Sequence, residues 1–309
     1  MRYDDFRRSD DIEDRRGDDG SGMGGGGGFG LPMGGGGLGI GTMIVLGLVG
    51  YAFGIDPRIL IGGAEVLSGG GRAPSYQTDR RSSARTGAPT DQMGNMIAGI
   101  LGEIDDRWSE IFQGSGQPYT GPKIVLFRNA TDGGRCGMAQ SAMGPFYCPP
   151  ERRIFLDTGF FREVETRFRG CSGNACKFTS AYIIAHEAGH HIQNLLGILP
   201  RVTQQQQAGS KTASNALQVR VELQADCFSG IWVNREEKKR PGFLEAGDID
   251  AALTTATAIG DDTLQRQATG RVVPDSFTHG SAAQRKQWFM TGYKQGTLKA
   301  CDTFSAGTL

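Results

Sequence analysis

The stretch that decides the fold runs from Phe178 to Ile198 and reads F-T-S-A-Y-I-I-A-H-E-A-G-H-H-I-Q-N-L-L-G-I. Thr179 or Ser180 is suited to cap the start of a helix, and Gly197 stands where a helix would stop. Apolar residues recur between these two ends at helical spacing, so one face of the segment is apolar. The pattern predicts a helix packed into a core.

Set into this predicted helix is the sequence His186-Glu187-Ala188-Gly189-His190. Residues four apart lie one turn apart on the same face, so both imidazoles can reach one metal ion. Glu187 projects beside them, where a carboxylate can take a proton from metal-bound water. The alternative is a buried helix with two core histidines, which would need hydrogen-bond partners from elsewhere in the chain. We interpret the pattern as that of a zinc hydrolase.

A catalytic zinc site needs a third protein ligand and keeps its fourth position for water. The extended pattern with a third histidine further along the helix is absent, so a carboxylate must serve. The next strongly helical stretch, residues 217–233, carries two carboxylates one turn apart. We assign Glu222 as the ligand and Asp226 as the carboxylate that orients a ligand histidine. The alternative is that Glu222 is a surface residue paired with Arg220.

Composition divides the chain of 309 residues into two unlike parts, because its 49 glycines concentrate near the N-terminus. Acidic and basic residues balance at 33 each, and this equality gives no indication of nucleic-acid binding. Residues 1–37 are predicted to be a disordered charged and glycine-rich tail. Residues 38–55 are uncharged and just long enough to cross a bilayer as a helix, with a buried helix as the alternative. Residues 56–89 are interpreted as a flexible linker to a folded domain at 90–309.

Within the folded domain the pattern predicts an α+β fold. The folded part starts near Thr90, and apolar residues from Met93 onward mark a long amphipathic helix that ends at Gly114. Strand-like runs follow at Lys123–Phe127, Gly137–Met143 and Arg153–Asp157. Gly137–Gln140 is a candidate edge strand for an extended peptide, although an ordinary inner strand is as good an interpretation.

Downstream of the predicted ligand Glu222, Asp248 to Gly260 is predicted to be a helix. Asp261 and Asp262 follow it and are interpreted as caps of the next turn rather than as a metal site. Ser281-Ala282-Ala283-Gln284 has the form of a capping box, which predicts the start of a further helix.

Six cysteines lie in the predicted folded part and none in the tail. Local closure favours Cys136 with Cys148 and Cys171 with Cys176, which leaves Cys227 with Cys301, although six cysteines allow about fifteen pairings. Paired cysteines indicate an oxidising compartment. We therefore expect a single-pass membrane protein whose tail is cytoplasmic and whose catalytic domain lies outside.

Four stretches of the chain resemble the bacterial neutral zinc metallopeptidase family, membrane-anchored proteins with an HExxH motif. They read R-R-S-D-D-I-E-D-R-R-G, A-H-E-A-G-H-H-I-Q, E-L-Q-A-D-C and T-H-G-S-A-A-Q-R-K-Q-W-F, so the resemblance spans nearly the whole chain. The Glu-x-x-Ala-Asp element is also similar to that of integral-membrane CAAX-type and heat-shock zinc peptidases, the gluzincin group. The resemblance implies a zincin-like fold and peptidase activity. It also implies that the single-pass protein lies in the bacterial inner membrane, with its catalytic domain on the periplasmic side.

His279 is the histidine that stands outside the HExxH stretch. In metallopeptidases a histidine or arginine commonly donates to the oxyanion as water attacks the carbonyl. His279 and Arg285 resemble the His-Pro…Arg element of the gluzincin peptidases, with Gly280 in place of the proline. The resemblance implies a catalytic role for His279, and a purely structural histidine is the alternative.

Together these patterns predict a membrane-anchored zinc peptidase that cleaves a peptide or protein substrate. Zinc bound by His186, His190 and Glu222 activates water, Glu187 takes its proton, and His279 stabilises the oxyanion. The rival interpretation is a membrane-tethered scaffold or chaperone-like module that binds zinc without proteolysis.

Overall fold

A computed structural model describes residues 1–17, 84–166, 171–305 and 307 of the chain. Within these residues the fold is α+β, as predicted, with a five-stranded sheet, a two-stranded sheet and a set of helices. The strands are β1 (Ile12–Asp14), β2 (Arg85–Thr86), β3 (Lys123–Phe127), β4 (Ala130–Asp132), β5 (Met138–Gln140), β6 (Phe146–Cys148) and β7 (Arg153–Asp157). The helices are α1 (Gln92–Gly114), α2 (Gly159–Thr166), α3 (Ala175–Leu195), α4 (Ile198–Ala208), α5 (Lys211–Lys239), α6 (Asp248–Ala258), α7 (Asp261–Thr269) and α8 (Ala282–Gln295).

The larger sheet has the strand order β2-β1-β3-β7-β6. Its centre is parallel, since β3 pairs in parallel with both β1 and β7, while β2 and β6 run antiparallel at the two edges. Side chains of successive residues point to opposite faces of a strand. Ile124, Leu126, Ile154 and Leu156 accordingly join the main core with the helices, and Val125, Phe127 and Phe155 form a smaller cluster on the other face.

Helix α3, which carries the HExxH sequence, lies in the centre of the main core. It packs on α1, α5 and α6 and also contacts the edge strand β6. The helix begins at Ala175, earlier than Thr179 or Ser180, and the Ser180 hydroxyl inside it donates to the carbonyl of Cys176 one turn back. Gly197 follows the end of the helix with φ of 69°, a left-handed conformation that suits glycine.

Residues 1–17 differ from the prediction of a disordered tail. The strand β1 lies inside the large sheet, between β2 and β3, and Phe6 is buried in the main core. The many charges of this segment are compatible with folding because they are paired, for example Arg16 with Asp14 and Asp91. β2 likewise lies within residues predicted to be linker. The rest of the predicted tail, the segment 38–55 and most of the predicted linker lie outside the described residues.

The predicted localisation, a single-pass protein of the inner membrane, needs correction. Among residues 1–17, 84–166 and 171–305, no helix has the length and apolar character needed to cross a bilayer. The long helices carry charged side chains within them, such as Glu103 and Arg107 in α1.

The three disulfides predicted from local closure are confirmed. Cys136 is bonded to Cys148, Cys171 to Cys176 and Cys227 to Cys301. The first joins the turn before β5 to the end of β6, and the second joins the segment before α3 to the first turn of that helix. The third spans 74 residues and ties the C-terminal segment to α5, which is the helix that carries Glu222.

The segment predicted as the strand Gly137–Met143 divides into β5 and a short 3₁₀ turn at Ser141–Met143. β5 pairs with β4, and Ala139 packs in the smaller cluster, on the face of the large sheet opposite to the helical core. The candidate substrate strand therefore lies on the far side of the sheet from the main core that holds α3. The predicted capping box of Ser281 and Gln284 is present at the start of α8.

Helices α5 and α8 cross at two glycines that allow their backbones to touch. A Cβ atom at Gly292 would overlap the carbonyl oxygen of Cys227, and one at Gly230 would overlap the carbonyl oxygen of Phe289. This close approach brings Arg285 of α8 against Asp226 of α5. The crossing therefore fixes one wall of the candidate site described below.

We expect Gly292→Ala to lower the free energy of unfolding by about 1–3 kcal/mol, because the added methyl group forces two packed helices apart. Urea denaturation measures this change. The matched control is Gly114→Ala at the end of α1, where a Cβ atom meets nothing within 4 Å. That variant should be neutral or slightly stabilising. Equal stabilities for both variants would contradict the close crossing.

Candidate metal centre

Helix α3 presents His186 and His190 on one face, one turn apart. Their ring centroids are 4.8 Å apart and the ring planes are nearly perpendicular, at 88°. His186 is buried, and His190 is partly exposed. The two imidazoles thus share one small volume at the surface of the core, as the four-residue spacing predicts.

Glu222 enters this volume from helix α5. Its Oε2 lies 3.1 Å from His186 Nε2 and 3.6 Å from His190 Nε2. One donor atom from each of these three residues lies within 4.8 Å of the other two. Among the described residues, this is the one group of three or more His, Cys, Asp or Glu side chains that converge closely enough to hold a metal ion. We call His186, His190 and Glu222 the candidate metal centre.

Small residues allow α3 and α5 to approach closely enough for this convergence. A Cβ atom at Gly189 would lie 3.0 Å from both the Cα and the carbonyl oxygen of Ala225. Glycine inside the HExxH sequence and alanine inside Glu-x-x-Ala-Asp thus face each other at the helix contact. A larger residue at either position would move Glu222 away from the two histidines.

Asp226, predicted to orient a ligand histidine, lies against His186. The Nδ1–H of His186 donates to Asp226 Oδ1 at 2.9 Å, which leaves Nε2 facing Glu222. The hydroxyl of Tyr182 also donates to Asp226, at 2.6 Å. Arg285 donates twice to the carboxylate, from Nε at 2.9 Å and from Nη2 at 3.0 Å. All of these groups are buried, so the imidazole has one orientation.

The charges of this buried network set the pKa values of its members. Burial alone would raise the pKa of Asp226, but Arg285 and His186 outweigh it and hold that pKa well below its usual range. Burial would lower the pKa of His186, but the Asp226 and Glu222 carboxylates raise it to about 10. The pKa of Glu222 is likewise lowered by the neighbouring histidines against the effect of burial. The centre is therefore a site where two carboxylates favour a positive charge between them.

Glu222 is not paired with Arg220, which was the alternative interpretation. The Arg220 guanidinium donates to the carbonyl of Thr303, on the C-terminal segment. Glu222 is 7% exposed, and its Oε1 accepts a hydrogen bond from Gln218 Nε2 at 2.9 Å. One carboxylate oxygen is thus held by an amide while the other faces the histidines.

Glu187, the predicted base, is 8% exposed and lies between the two histidines in sequence. Burial raises the pKa of this carboxyl above its usual value, and the positive charge of His190 and His186 opposes that rise only in part. A carboxylate with a raised pKa is a stronger proton acceptor than one in water. Its environment is thus suited to a general base.

His279 lies in the loop before α8 and is held there by Asp261. Asp261 Oδ2 accepts hydrogen bonds from the backbone N–H groups of Thr278, His279 and Gly280, at 2.7, 2.6 and 3.0 Å. Its Oδ1 lies 3.3 Å from His279 Nδ1. Burial lowers the pKa of His279, but Asp261 and the charge of Glu222 raise it overall. His279 thus lies within electrostatic reach of the candidate metal centre.

Asp261 and Asp262 do not act as the helix caps that the sequence predicts. The residue that caps α7 is Gly260, and Asp262 accepts the backbone N–H of Ala282 at 2.8 Å. The two aspartates therefore fix the loop that carries His279 and the start of α8. Their partners lie about twenty residues further along the chain, beyond the range of local sequence patterns.

His191 follows His190 in the chain but points elsewhere. Its Nε2–H donates to the carbonyl of Thr120 at 2.7 Å, and its Nδ1 accepts the Tyr147 hydroxyl at 2.9 Å. Burial lowers the pKa of this imidazole to about 4, so it is neutral at neutral pH. His191 therefore connects α3 to the sheet edge β6.

Residues 1–304 match the family described as "Putative neutral zinc metallopeptidase", and the chain belongs to that family. Protein YpfJ of Escherichia coli (strain K12) is 42% identical over 305 residues, which cover 98% of this chain and 99% of the relative. Protein Rv2575 of Mycobacterium tuberculosis (strain H37Rv) is 39% identical over 265 residues, 83% of this chain and 85% of the relative. The names of both relatives state no activity. No solved structure matches the chain.

Proposed function

We propose that this protein is a zinc-dependent peptidase, with a zincin-like arrangement of a small sheet and an active-site helix. The observation that carries the proposal is the convergence of two imidazole nitrogens and one carboxylate oxygen within 4.8 Å, with Glu187 on the same helix. Two histidines and a glutamate are a donor set that catalytic zinc uses. The family description supports the same metal.

The residues of the centre fit zinc in chemistry as well as in number. Glu222 and Asp226 bring two negative charges to a pair of histidines, and Asp226 fixes the His186 tautomer that turns Nε2 toward the centre. His186 Nε2, His190 Nε2 and Glu222 Oε2 would hold the ion. When bound, zinc supplies a Lewis acid and an acidified water for hydrolysis.

Glu187 performs the proton transfers in this proposal. Its carboxylate accepts a proton from the attacking water and then gives that proton to the leaving amine nitrogen. The burial that raises its pKa brings the carboxylate closer to the pH at which it must both take and release a proton. Asp226, Tyr182 and Arg285 keep His186 in place throughout.

His279 is proposed to stabilise the negative charge that develops on the substrate carbonyl oxygen. Asp261 Oδ1 lies 3.3 Å from its Nδ1 and fixes the ring on that side. The raised pKa of the imidazole favours the charged form, which is the stronger donor. Arg285, which forms the gluzincin-like sequence element together with His279, instead donates hydrogen bonds to Asp226 and Tyr182.

His279→Ala is expected to lower kcat by roughly ten- to a thousandfold, because its contribution arises only as charge develops in the transition state. Zinc content and thermal stability should stay near those of the wild type. Steady-state kinetics on a cleaved peptide, metal analysis and a thermal melt measure the three quantities.

The matched control for that variant is His191→Ala. It removes a buried histidine whose partners are Thr120 and Tyr147, so stability should fall while the turnover of folded protein is largely kept. Unchanged turnover in His279→Ala would remove this residue from the catalytic set. Loss of zinc would make His279 a ligand.

The proposed function is tested by digestion of a broad peptide library, followed by mass spectrometry of the new termini. We expect cleavage by the zinc-loaded protein, no cleavage after a chelator removes the metal, and recovery when zinc is returned. A protein that binds zinc at one ion per chain and leaves the library intact would instead be a zinc-binding module without peptidase activity.

A further inference from the structure

The two histidines of the candidate metal centre are oriented by different means. His186 donates its Nδ1–H to the carboxylate of Asp226. His190 Nδ1 lies 2.9 Å from the side-chain amide oxygen of Gln193, a neutral group one turn further along α3. Gln193 is fully buried, so its amide must find all its partners within the protein.

A chain of hydrogen bonds fixes the direction of this amide. Gln193 Nε2 donates to the Val221 carbonyl at 2.7 Å and to Gln224 Oε1 at 3.1 Å. Gln224 Nε2 donates in turn to the Cys301 carbonyl at 2.9 Å. The carbonyl oxygens of Val221 and Cys301 can only accept hydrogen bonds, so Nε2 of Gln193 and Nε2 of Gln224 must face them. Nε2 of Gln193 therefore points away from His190. Gln193 Oε1 is then left to accept the His190 Nδ1–H, and the Nε2 lone pair of His190 faces the centre.

The far end of this chain is held to α5 at two points. The disulfide between Cys227 and Cys301 fixes the residue whose carbonyl accepts from Gln224. Two residues later, Thr303 Oγ1 donates to the Arg220 carbonyl at 2.7 Å. The C-terminal segment therefore stays in place on the helix that also carries Glu222.

We propose that Gln193 and Gln224 are positioning residues that select the metal-binding tautomer of His190. The inference rests on the proposed function, because it takes His190 as a ligand. Gln193 acts directly on His190, whereas Gln224 acts only by orienting Gln193. The two effects on metal affinity must therefore be coupled rather than additive.

The test measures zinc affinity by chelator competition for the wild type, Gln193→Ala, Gln224→Ala and the double variant. Loss of an outer hydrogen-bond partner weakens metal affinity by about 10–100-fold, which we expect for Gln193→Ala. For Gln224→Ala we expect a loss of zinc affinity near the lower end of this range, about tenfold. The double variant should bind zinc within about twofold of Gln193→Ala, because Gln224 has no path to His190 once Gln193 is absent.

Three further measurements separate positioning from a loss of packing. Gln193→Glu keeps an acceptor oxygen for His190 but loses the amide donor to the Val221 carbonyl, so its stability should fall while its zinc affinity stays above that of Gln193→Ala. Gln265→Ala, a buried glutamine of α7 that bonds Ser276 and Val273, is the matched control and should leave zinc affinity unchanged. The visible spectrum of the Co²⁺-substituted protein should change in Gln193→Ala and stay the same in Gln265→Ala.

Additive losses in the double variant, or zinc affinities of both single variants equal to that of the wild type, would overturn the positioning role and leave the proposed function intact. Failure of the proposed function would give a different result from failure of the positioning role. A wild-type protein that fails to bind zinc would overturn the proposed function itself, and the positioning role would fall with it.

Discussion

Glu187→Gln is expected to lower kcat for peptide hydrolysis by about 10²–10⁴-fold while the protein keeps its zinc. The amide has nearly the same shape as the carboxylate but cannot accept a proton at neutral pH. Glu187 is not one of the three residues whose donor atoms converge, so the metal should remain. Kinetics on a peptide cleaved by the wild type, together with zinc analysis of the same sample, measure both quantities.

The control is Glu165→Gln, the same chemical change at an exposed position of α2. It should leave kcat and zinc content unchanged. If Glu187→Gln turned over peptide at the wild-type rate, another group would have to be the base. If it lost zinc, Glu187 would belong to the ligand set.

Glu222→Ala is expected to lose stoichiometric zinc and, with it, all zinc-dependent hydrolysis. Removal of this carboxylate takes away one of the three proposed ligands and the negative charge that faces the two histidines. Their pKa values should fall toward the ordinary range, because Glu222 helps to raise both. Metal analysis after dialysis against a zinc-free buffer measures the loss.

Glu237→Ala is the matched control, since Glu237 lies near the other end of the same helix and accepts hydrogen bonds from the backbone N–H groups of Gly242 and Leu244. It should keep one zinc ion per chain. Full zinc retention in Glu222→Ala would move the third-ligand assignment to another residue.

The sequence predicts well those parts of the fold that depend on residues close together in the chain. β3 and β7 have the predicted bounds because each is a continuous apolar run, and α3 follows from its apolar periodicity. The disulfides also follow from local closure, with Cys227 and Cys301 paired by elimination. The spacing of His186 and His190 places two imidazoles together because helix geometry alone requires it.

The parts that the sequence does not predict depend on contacts between distant residues. β1 has too few apolar residues to show a pattern, yet β2 and β3 supply its hydrogen bonds and Arg16 finds its partners across the fold. The predicted membrane topology fails for the same reason, since it treats residues 1–17 as separate from the domain. Tertiary pairing overrides a local signal in both cases.

The candidate site also has some parts that the sequence predicts and others that depend on contacts between distant residues. Asp226 stands four residues from Glu222 and is suggested by that spacing, whereas Tyr182 and Arg285 reach Asp226 from two other helices. Arg285 resembles a transition-state donor in sequence, but its guanidinium is buried against Asp226. Asp261 resembles a helix cap in the sequence, but in the structure its carboxylate accepts a hydrogen bond from the loop that carries His279. Only the packing of α5, α7 and α8 reveals these partners.

Anomalous diffraction at the zinc absorption edge, on crystals of the purified wild-type protein, measures whether one zinc ion is bound by His186, His190 and Glu222. This ligand assignment requires a single strong peak enclosed by Nε2 of both histidines and the carboxylate of Glu222, and no such peak in Glu222→Ala. A peak bound by other residues, or no peak in zinc-soaked wild-type crystals, would contradict it.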